Sequence, residues 1–221
     1  MKLFELLCVQ FIAFLSLFFL SAFSVTHSAS ISDLLITEVM ANPLAVSDAR
    51  GEWLELFNPT QQSINLSGAV LSDSGSGEHI IPGDTSIVID PGDYFVLARN
   101  GDTAINGGVV ADYVYGSDFS LSNSSDEIIF SNGSNELLRL DYGPGFAPSG
   151  FSMELINAVM LPGNYAASSS QYGLGDWGSP GSAGSFNFNS ITPVPVPGAA
   201  LLMSSGLIGL VGLGRQRKFR F

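Results

Sequence analysis

The sequence predicts an all-β domain, a sandwich or barrel of short antiparallel strands, from three observations. Residues 51–73 hold three short runs of strand-forming residues, separated by turns at Asn58-Pro59 and Ser67-Gly68. Similar runs recur about every ten residues through the centre of the chain. No stretch of residues 31–190 has the periodicity of a helix. A chain that reverses direction this often typically builds a sandwich or barrel.

Each strand is expected where apolar or β-branched residues lie between turn-forming residues. In residues 136–142 and 151–156 apolar and polar side chains alternate, which predicts strands buried on one face only. Leu54 and Leu56 are expected to point into the core. The predicted strands are 34–40, 52–57, 64–66, 69–72, 86–89, 93–99, 109–114, 127–131, 136–142 and 151–156.

The run GEWLELFNPTQQSINLSGAVLSD (51–73) resembles the signature of the lamin tail domain. An opening strand, ITEVMANP (36–43), and a closing motif, DWGSPGSAG (176–184), extend the resemblance to residues 33–187. It implies an immunoglobulin-like antiparallel β-sandwich, of which bacterial members occur in exported proteins. The sequence departs from the family pattern at two positions: Ala69 replaces an aromatic residue, and Gly184 replaces the final Asn.

The charge of the central region is strongly negative. Residues 31–191 contain three basic and nineteen acidic residues, a net charge of −16. Such a surface repels nucleic acid, which is excluded as a partner. The single cysteine, Cys8, lies near the N-terminus, so the central domain has neither a disulfide nor a thiolate site.

Both ends of the chain carry targeting features. An apolar run at 3–23 follows Lys2 and precedes small residues, which predicts a helical secretory signal peptide, residues 1–29, that engages the Sec translocon. Residues 198–214 lack charge and would span about 26 Å as a helix, close to the ~30 Å hydrocarbon core. A basic tail, residues 215–221, follows, and the positive-inside rule places it in the cytoplasm. Its charged residues are Arg215, Arg217, Lys218 and Arg220.

The segment before this predicted transmembrane helix resembles a PEP-CTERM sorting signal. Residues 188–197 form a Pro-rich linker that ends in the sorting motif Val194, Pro195, Val196, Pro197 and Gly198. The resemblance implies a Gram-negative bacterium and an exosortase, a membrane-embedded protease that cleaves near the motif. The precursor would lie in the inner membrane, and the product at the cell surface or outside the cell. Val196 occupies the position of Glu in the Pro-Glu-Pro motif that gives the signal its name. Because of this departure, the sequence does not specify which exosortase subtype would act.

Catalytic signatures are absent from the central sequence. One histidine, His79, without cysteine cannot complete a zinc site of the usual ligand count, and no G-x-S-x-G or P-loop occurs. Glu52 and Glu55 are three apart on a strand, so they point to opposite faces and form no acid-base pair. For the acidic residues a solvated surface is favoured over calcium binding. The calcium candidates are Asp73, Glu78, Asp126 and Glu127.

These features predict an exported, non-catalytic surface or matrix protein that requires no cofactor. Its expected partners are the exosortase, the translocon, transiently the inner membrane, and exopolysaccharide or other surface proteins. One alternative is a calcium-dependent exopolysaccharide-binding module. Others are a permanently anchored periplasmic domain and a hydrolase without a recognisable motif.

Overall fold

The computed structural model describes residues 28–188, which form twelve short strands. A four-residue helix, α1 (Asp48–Gly51), and two 3-10 turns are the helical elements of this range. The strands are β1 Leu35–Met40, β2 Trp53–Phe57, β3 Ile64–Asn65, β4 Val70–Ser72, β5 Glu78–Ile80, β6 Val88–Ile89, β7 Tyr94–Ala98, β8 Tyr113–Val114, β9 Asp126–Ser131, β10 Glu136–Tyr142, β11 Met153–Leu155 and β12 Tyr165–Ala167.

The strands form two main sheets. The larger has six strands in the order β12-β11-β1-β2-β7-β8, the smaller four in the order β10-β9-β4-β5, and β3 pairs with β6 separately. Neighbouring strands are antiparallel except for β7 and β8. The predicted all-β class is confirmed for the described residues. None of their helices is long and apolar enough to cross a membrane. The predicted signal and transmembrane helices lie outside this range.

The main core lies between the two large sheets. Leu54 and Leu56 of β2 are fully buried there, as predicted, beside Leu71 and Phe130 of the smaller sheet. The neighbouring Trp53 faces the opposite side of the six-stranded sheet, where it joins a smaller apolar cluster. Both faces of the six-stranded sheet are therefore covered.

Both ends of the described chain lie at one end of the sandwich, which we call the terminal end. Leu35, at the start of β1, pairs with Phe57, at the end of β2. The ring of Phe188 lies 5.6 Å from that of Phe57, and the N–H of Ala29 donates to Gln62 just beyond β2. We call the opposite end of the sandwich the far end. The strand directions place three loops there, residues 41–52, 99–112 and 168–175.

Three features differ from the predicted strands. β5 and β12 were not predicted, because each has three residues and lies in a stretch rich in Ser, Gly or Asn. Only 113–114 of the predicted strand 109–114 is strand. The prediction that residues 151–156 are buried on one face was wrong, because Ser152 and Glu154, on the polar side, are also buried.

Candidate functional site

A row of three buried glutamates crosses the six-stranded sheet on the face away from the main core. Glu38 of β1 lies directly opposite Glu154 of β11 on one side and Glu55 of β2 on the other. The exposed fraction is 1 % for Glu38 and Glu55 and 2 % for Glu154. We call Glu154, Glu38 and Glu55 the glutamate row. Buried carboxyl groups require hydrogen-bond donors, which the row receives mainly from a later part of the chain.

Those donors come from residues 176–185, here called the closing segment, which contains the motif singled out in the sequence. The N–H and the hydroxyl of Ser179 donate to the two oxygens of Glu38 at 2.8 and 2.7 Å. The N–H of Gly181 donates to Glu55 at 2.8 Å. Ser152 and Thr37, on the strands themselves, donate to Glu38 and Glu55 respectively. The row therefore holds the closing segment across the face of the sheet.

The closing segment ends in a close contact with Glu154. The N–H and hydroxyl of Ser185 donate to one oxygen of Glu154 at 2.8 and 2.6 Å. A Cβ added at Gly184 would lie 2.8 Å from the carboxyl carbon of Glu154. The glycine that departs from the family pattern therefore occupies a position where Glu154 leaves no room for a side chain.

Burial changes the pKa values of two members of the row, Glu38 and Glu55. It raises the pKa of Glu38 to about 7, against the hydrogen bonds from Ser152 and Ser179, which lower it. Burial also raises the pKa of Glu55 to about 8, and the nearby charge of Glu38 adds to the rise. Glu38 and Glu55 therefore titrate near neutral pH instead of near 4.5, the usual value for a glutamate.

Elevated carboxyl pKa values are common in active sites, but the geometry of this row fits a structural role. A general acid or base must reach its substrate within hydrogen-bonding distance. Here the carboxyl oxygens are covered by the closing segment, and their hydrogen bonds are made within the protein. The arrangement therefore fixes the chain and leaves no route for a substrate while the segment is in place.

A fourth buried acidic residue, Asp176, belongs to the closing segment itself and fixes it to the far end. Its carboxylate is 3 % exposed and accepts hydrogen bonds from the N–H groups of Leu44 and Ala45 at 3.1 and 3.0 Å. The segment is thus held at both of its ends and in its middle by acidic side chains.

The prediction of a solvated surface was wrong for Glu52 and Glu55, although they do lie on opposite sides of the sheet. Glu52 is 2 % exposed, pairs with Arg99 at 3.0 Å and accepts a bond from the N–H of Leu121. Burial raises the pKa of Glu52 to about 7, against the attraction of Arg99. Glu52 therefore joins β2 to the loop before β9, whereas Glu55 joins β2 to the closing segment.

Three of the four calcium candidates accept hydrogen bonds from backbone N–H groups. Asp73 accepts bonds from the N–H groups of Gly75 and Gly77, and Glu127 accepts one from Ser74. Asp126 accepts a bond from Ser122 at 2.8 Å, whereas Glu78 is exposed on β5. Within residues 28–188 no group of three or more His, Cys, Asp and Glu is arranged to hold a metal ion. Calcium binding stays an untested alternative.

His79 joins the open edges of the two sheets. Its Nε2 lies 2.6 Å from the hydroxyl of Tyr113 on β8, and its Nδ1 lies 3.2 Å from the carboxylate of Asp118. No serine takes part in these contacts, so the structure does not assemble a Ser-His-Asp set around His79. The sorting motif Val194–Gly198 and the basic tail residues lie outside the described range.

The sequence interpretation missed Glu38, Glu154 and the paired role of Glu55. One signal was present: each of these acids lies in a strand whose other residues are almost all apolar, in LITEVM, WLELF and MEL. Near-continuous apolar character is typical of strands that are buried on both faces. An acid within such a strand must be buried and paired.

Comparison with known proteins agrees with this fold. A family model described as the lamin tail domain matches residues 27–144, more than half of the chain. A search of curated proteins finds no match. The lamin tail domain is an immunoglobulin-like structural and interaction domain, consistent with a non-catalytic protein. The strands β11 and β12 and the closing segment lie beyond the matched residues. The chain belongs to the lamin tail domain family.

Proposed function

We propose that this protein is an exported, non-catalytic surface or extracellular-matrix protein, processed at its C-terminus by an exosortase. The lamin tail domain serves as the structural or interaction module of the released product. One observation carries the proposal: the sorting motif, an uncharged run of 17 residues and a basic tail follow the domain in that order. This order is that of a tripartite sorting signal, and the basic tail fits retention on the cytoplasmic side.

The path of the chain supports processing close to the domain. Phe188 packs on Phe57 at the terminal end, and nine residues, 189–197, separate it from the uncharged run. Nine residues reach at most about 30 Å when fully extended. A membrane-embedded protease would therefore act on a short connection between a folded domain and the bilayer.

The buried acids support a non-catalytic role. Glu38, Glu55 and Glu154 hold the closing segment, and Glu52 is paired with Arg99. Each of these strongly buried carboxyl groups thus has a structural function. Burial and neighbouring charges account for the raised pKa values of Glu38, Glu52 and Glu55 without a substrate.

Replacement of two motif prolines tests the processing step. The double variant Pro195→Ala with Pro197→Ala is expected to accumulate as the full-length, membrane-bound form in the native host. Pro193→Ala, which changes a neighbouring proline outside the motif, is the matched control and should be processed normally. An exosortase-deficient host should also retain the precursor. Normal release of the double variant, or release in that host, would contradict exosortase processing.

The alternative of a calcium-dependent exopolysaccharide-binding module rests on the proximity of Asp73 to Glu127. Ser74, beside Asp73, donates its N–H to Glu127. Burial raises the pKa of Asp126, and the nearby charge of Asp73 adds to the rise. Glycan-array binding with and without EDTA separates the two functions. Polysaccharide binding that EDTA abolishes would favour this alternative.

A further inference from the structure

We propose that the loop joining β11 to β12, residues 156–164, is a membrane-contact site that rests on the surface of a neutral phospholipid bilayer in the precursor. This inference rests on the proposed function, because it requires a domain tethered to a membrane. We call residues 156–164 the apolar loop.

The apolar loop exposes large hydrophobic side chains from a fixed position. Ile156, Val159 and Leu161 are 42 %, 55 % and 58 % exposed. Met160, between the last two, packs against the main core, and its sulfur lies 3.1 Å from the N–H of Ile36. Met160 thus anchors the loop while its neighbours on both sides point outward.

Hydrogen bonds within residues 156–164 hold the apolar loop in a defined conformation and satisfy part of its backbone. The N–H groups of Leu161 and Asn164 donate to the carbonyls of Val159 and Leu161 at 2.9 and 2.8 Å. Asn164 closes the loop with two further bonds. Its side chain donates to the carbonyl of Val159, and its own carbonyl accepts from the N–H of Ile156. Backbone groups without partners cost several kcal/mol in the core of a bilayer, so a loop whose backbone is satisfied in part is expected to rest at the bilayer surface and not to enter the core.

The apolar loop and the groove beside it carry no charge, although the domain is strongly acidic. No charged residue lies between Glu154 and Asp176. Beside the loop, a groove of about 430 Å³ is also lined without charge. Its lining residues are Gly143, Pro144, Gly145, Phe146, Met153, Pro162 and Tyr165. Because the domain as a whole carries many acids, we assign the contact to neutral phospholipid and not to anionic phospholipid.

The position of the apolar loop points to a bilayer as its partner. Leu155, where β11 ends, lies at the terminal end, because Glu154 pairs with Glu38 and β11 runs antiparallel to β1. The chain leaves this same end at Phe188, nine residues before the uncharged run 198–214. A tether this short keeps the loop near the membrane at a high effective concentration.

Fluorescent labels at two positions of similar exposure test the contact. In the full chain with Cys8→Ser, Leu161→Cys and, as a matched control, Leu174→Cys would each carry a polarity-sensitive label. Leu174 is 64 % exposed but lies in a far-end loop. The probe is a vesicle of phosphatidylethanolamine and phosphatidylcholine containing nitroxide-labelled lipid. We expect several-fold stronger quenching and a blue-shifted emission for the label at 161 relative to that at 174.

Flotation of the same vesicles tests membrane tethering of the chain separately from contact between the apolar loop and the bilayer. If the chain floats with the vesicles but both labels are quenched equally weakly, the contact is refuted and membrane tethering stands. If the label at 161 is shielded from water but is not quenched by the nitroxide lipid, the loop would contact a second copy of the protein instead of the bilayer, and the proposal would be contradicted. A chain that does not float would contradict both the contact and the membrane-held precursor.

Discussion

Leu56 shows how single side chains fix the register of the central strand. It is fully buried in the main core and pairs with Ile36 on β1 and Phe95 on β7. Because side chains alternate along a strand, a shift of one residue would move Leu54 and Leu56 to the opposite face. The core position of these two leucines therefore specifies which face carries Glu55.

Leu56→Ala should destabilise the domain by ~2–5 kcal/mol, the usual cost of a large-to-small change in a core. Ile80→Ala, at a position that is 60 % exposed on β5, is the control and should have little effect. Denaturant unfolding gives both values. A loss below about 1 kcal/mol for Leu56→Ala would contradict its core position.

The glutamate row makes stability depend on pH in an unusual direction. Burial raises the pKa values of Glu38 and Glu55 to about 7 and 8 in the folded protein, from 4.5 for an exposed glutamate. Between these values the folded state binds more protons than the unfolded state. The free energy of unfolding therefore falls as pH rises from about 4.5 to about 8. Their contribution is fully present below that window and lost above it.

Glu55→Gln should flatten this pH dependence, since glutamine cannot ionise and still offers an oxygen to the N–H of Gly181. The melting temperature measured across the same pH window checks the slope. Glu136→Gln, at an exposed position of β10, is the matched control and should leave the slope unchanged. An equal slope in wild type and Glu55→Gln would assign the titration to other groups.

At the scale of elements, the sequence predicts most strands because hydrophobic patterning and turn residues coincide. Leu138, Leu140 and Tyr142 of β10 are buried, as their alternation predicts. In β1 the pairing register shifts between Ile36 and Glu38, a bulge that breaks strict alternation and turns Glu38 away from the main core. A local irregularity of this kind has no clear signal in the sequence. The apolar strands around these acids therefore indicate that each is buried, but not that the three lie side by side in one row.

The closing segment illustrates long-range structure that local patterns do not predict. It contains no regular strand, and its position depends on bonds to residues more than 100 positions earlier in the sequence, such as Ser179 to Glu38. Its motif was recognisable, and so was the departure at Gly184. The physical reason for that glycine, the adjacent carboxyl group of Glu154, appears only in three dimensions.

Gly184→Ala tests the fit of the closing segment. The added Cβ would lie 2.8 Å from Glu154 and 3.1 Å from the hydroxyl of Ser179, so we expect a loss of about 1–3 kcal/mol. Gly83→Ala is the matched control, because an added Cβ there meets nothing within 4 Å. Urea melts of both variants give the difference. Equal stability of the two would show that the segment is not tightly held against the row.

At the scale of the whole molecule, residues 28–188 form a two-sheet sandwich in which both ends of this described range lie at the terminal end. Phe188 and Ala29 lie near the end of β2, and the apolar loop lies at the same end. The far end, with its long loops, lies away from any tether attached through Phe188. This arrangement of the two ends fits a domain whose far end points away from the membrane during processing.

The mass of the protein in its native location tests the central claim most directly. Intact-mass spectrometry of surface or matrix material from the native host should show a product that lacks everything after about residue 200, the region in which the sorting-signal resemblance predicts the cut. The membrane fraction of an exosortase-deficient host should instead contain a chain that ends at Phe221. A surface or matrix population that still ends at Phe221 would contradict processing and leave a permanently anchored domain.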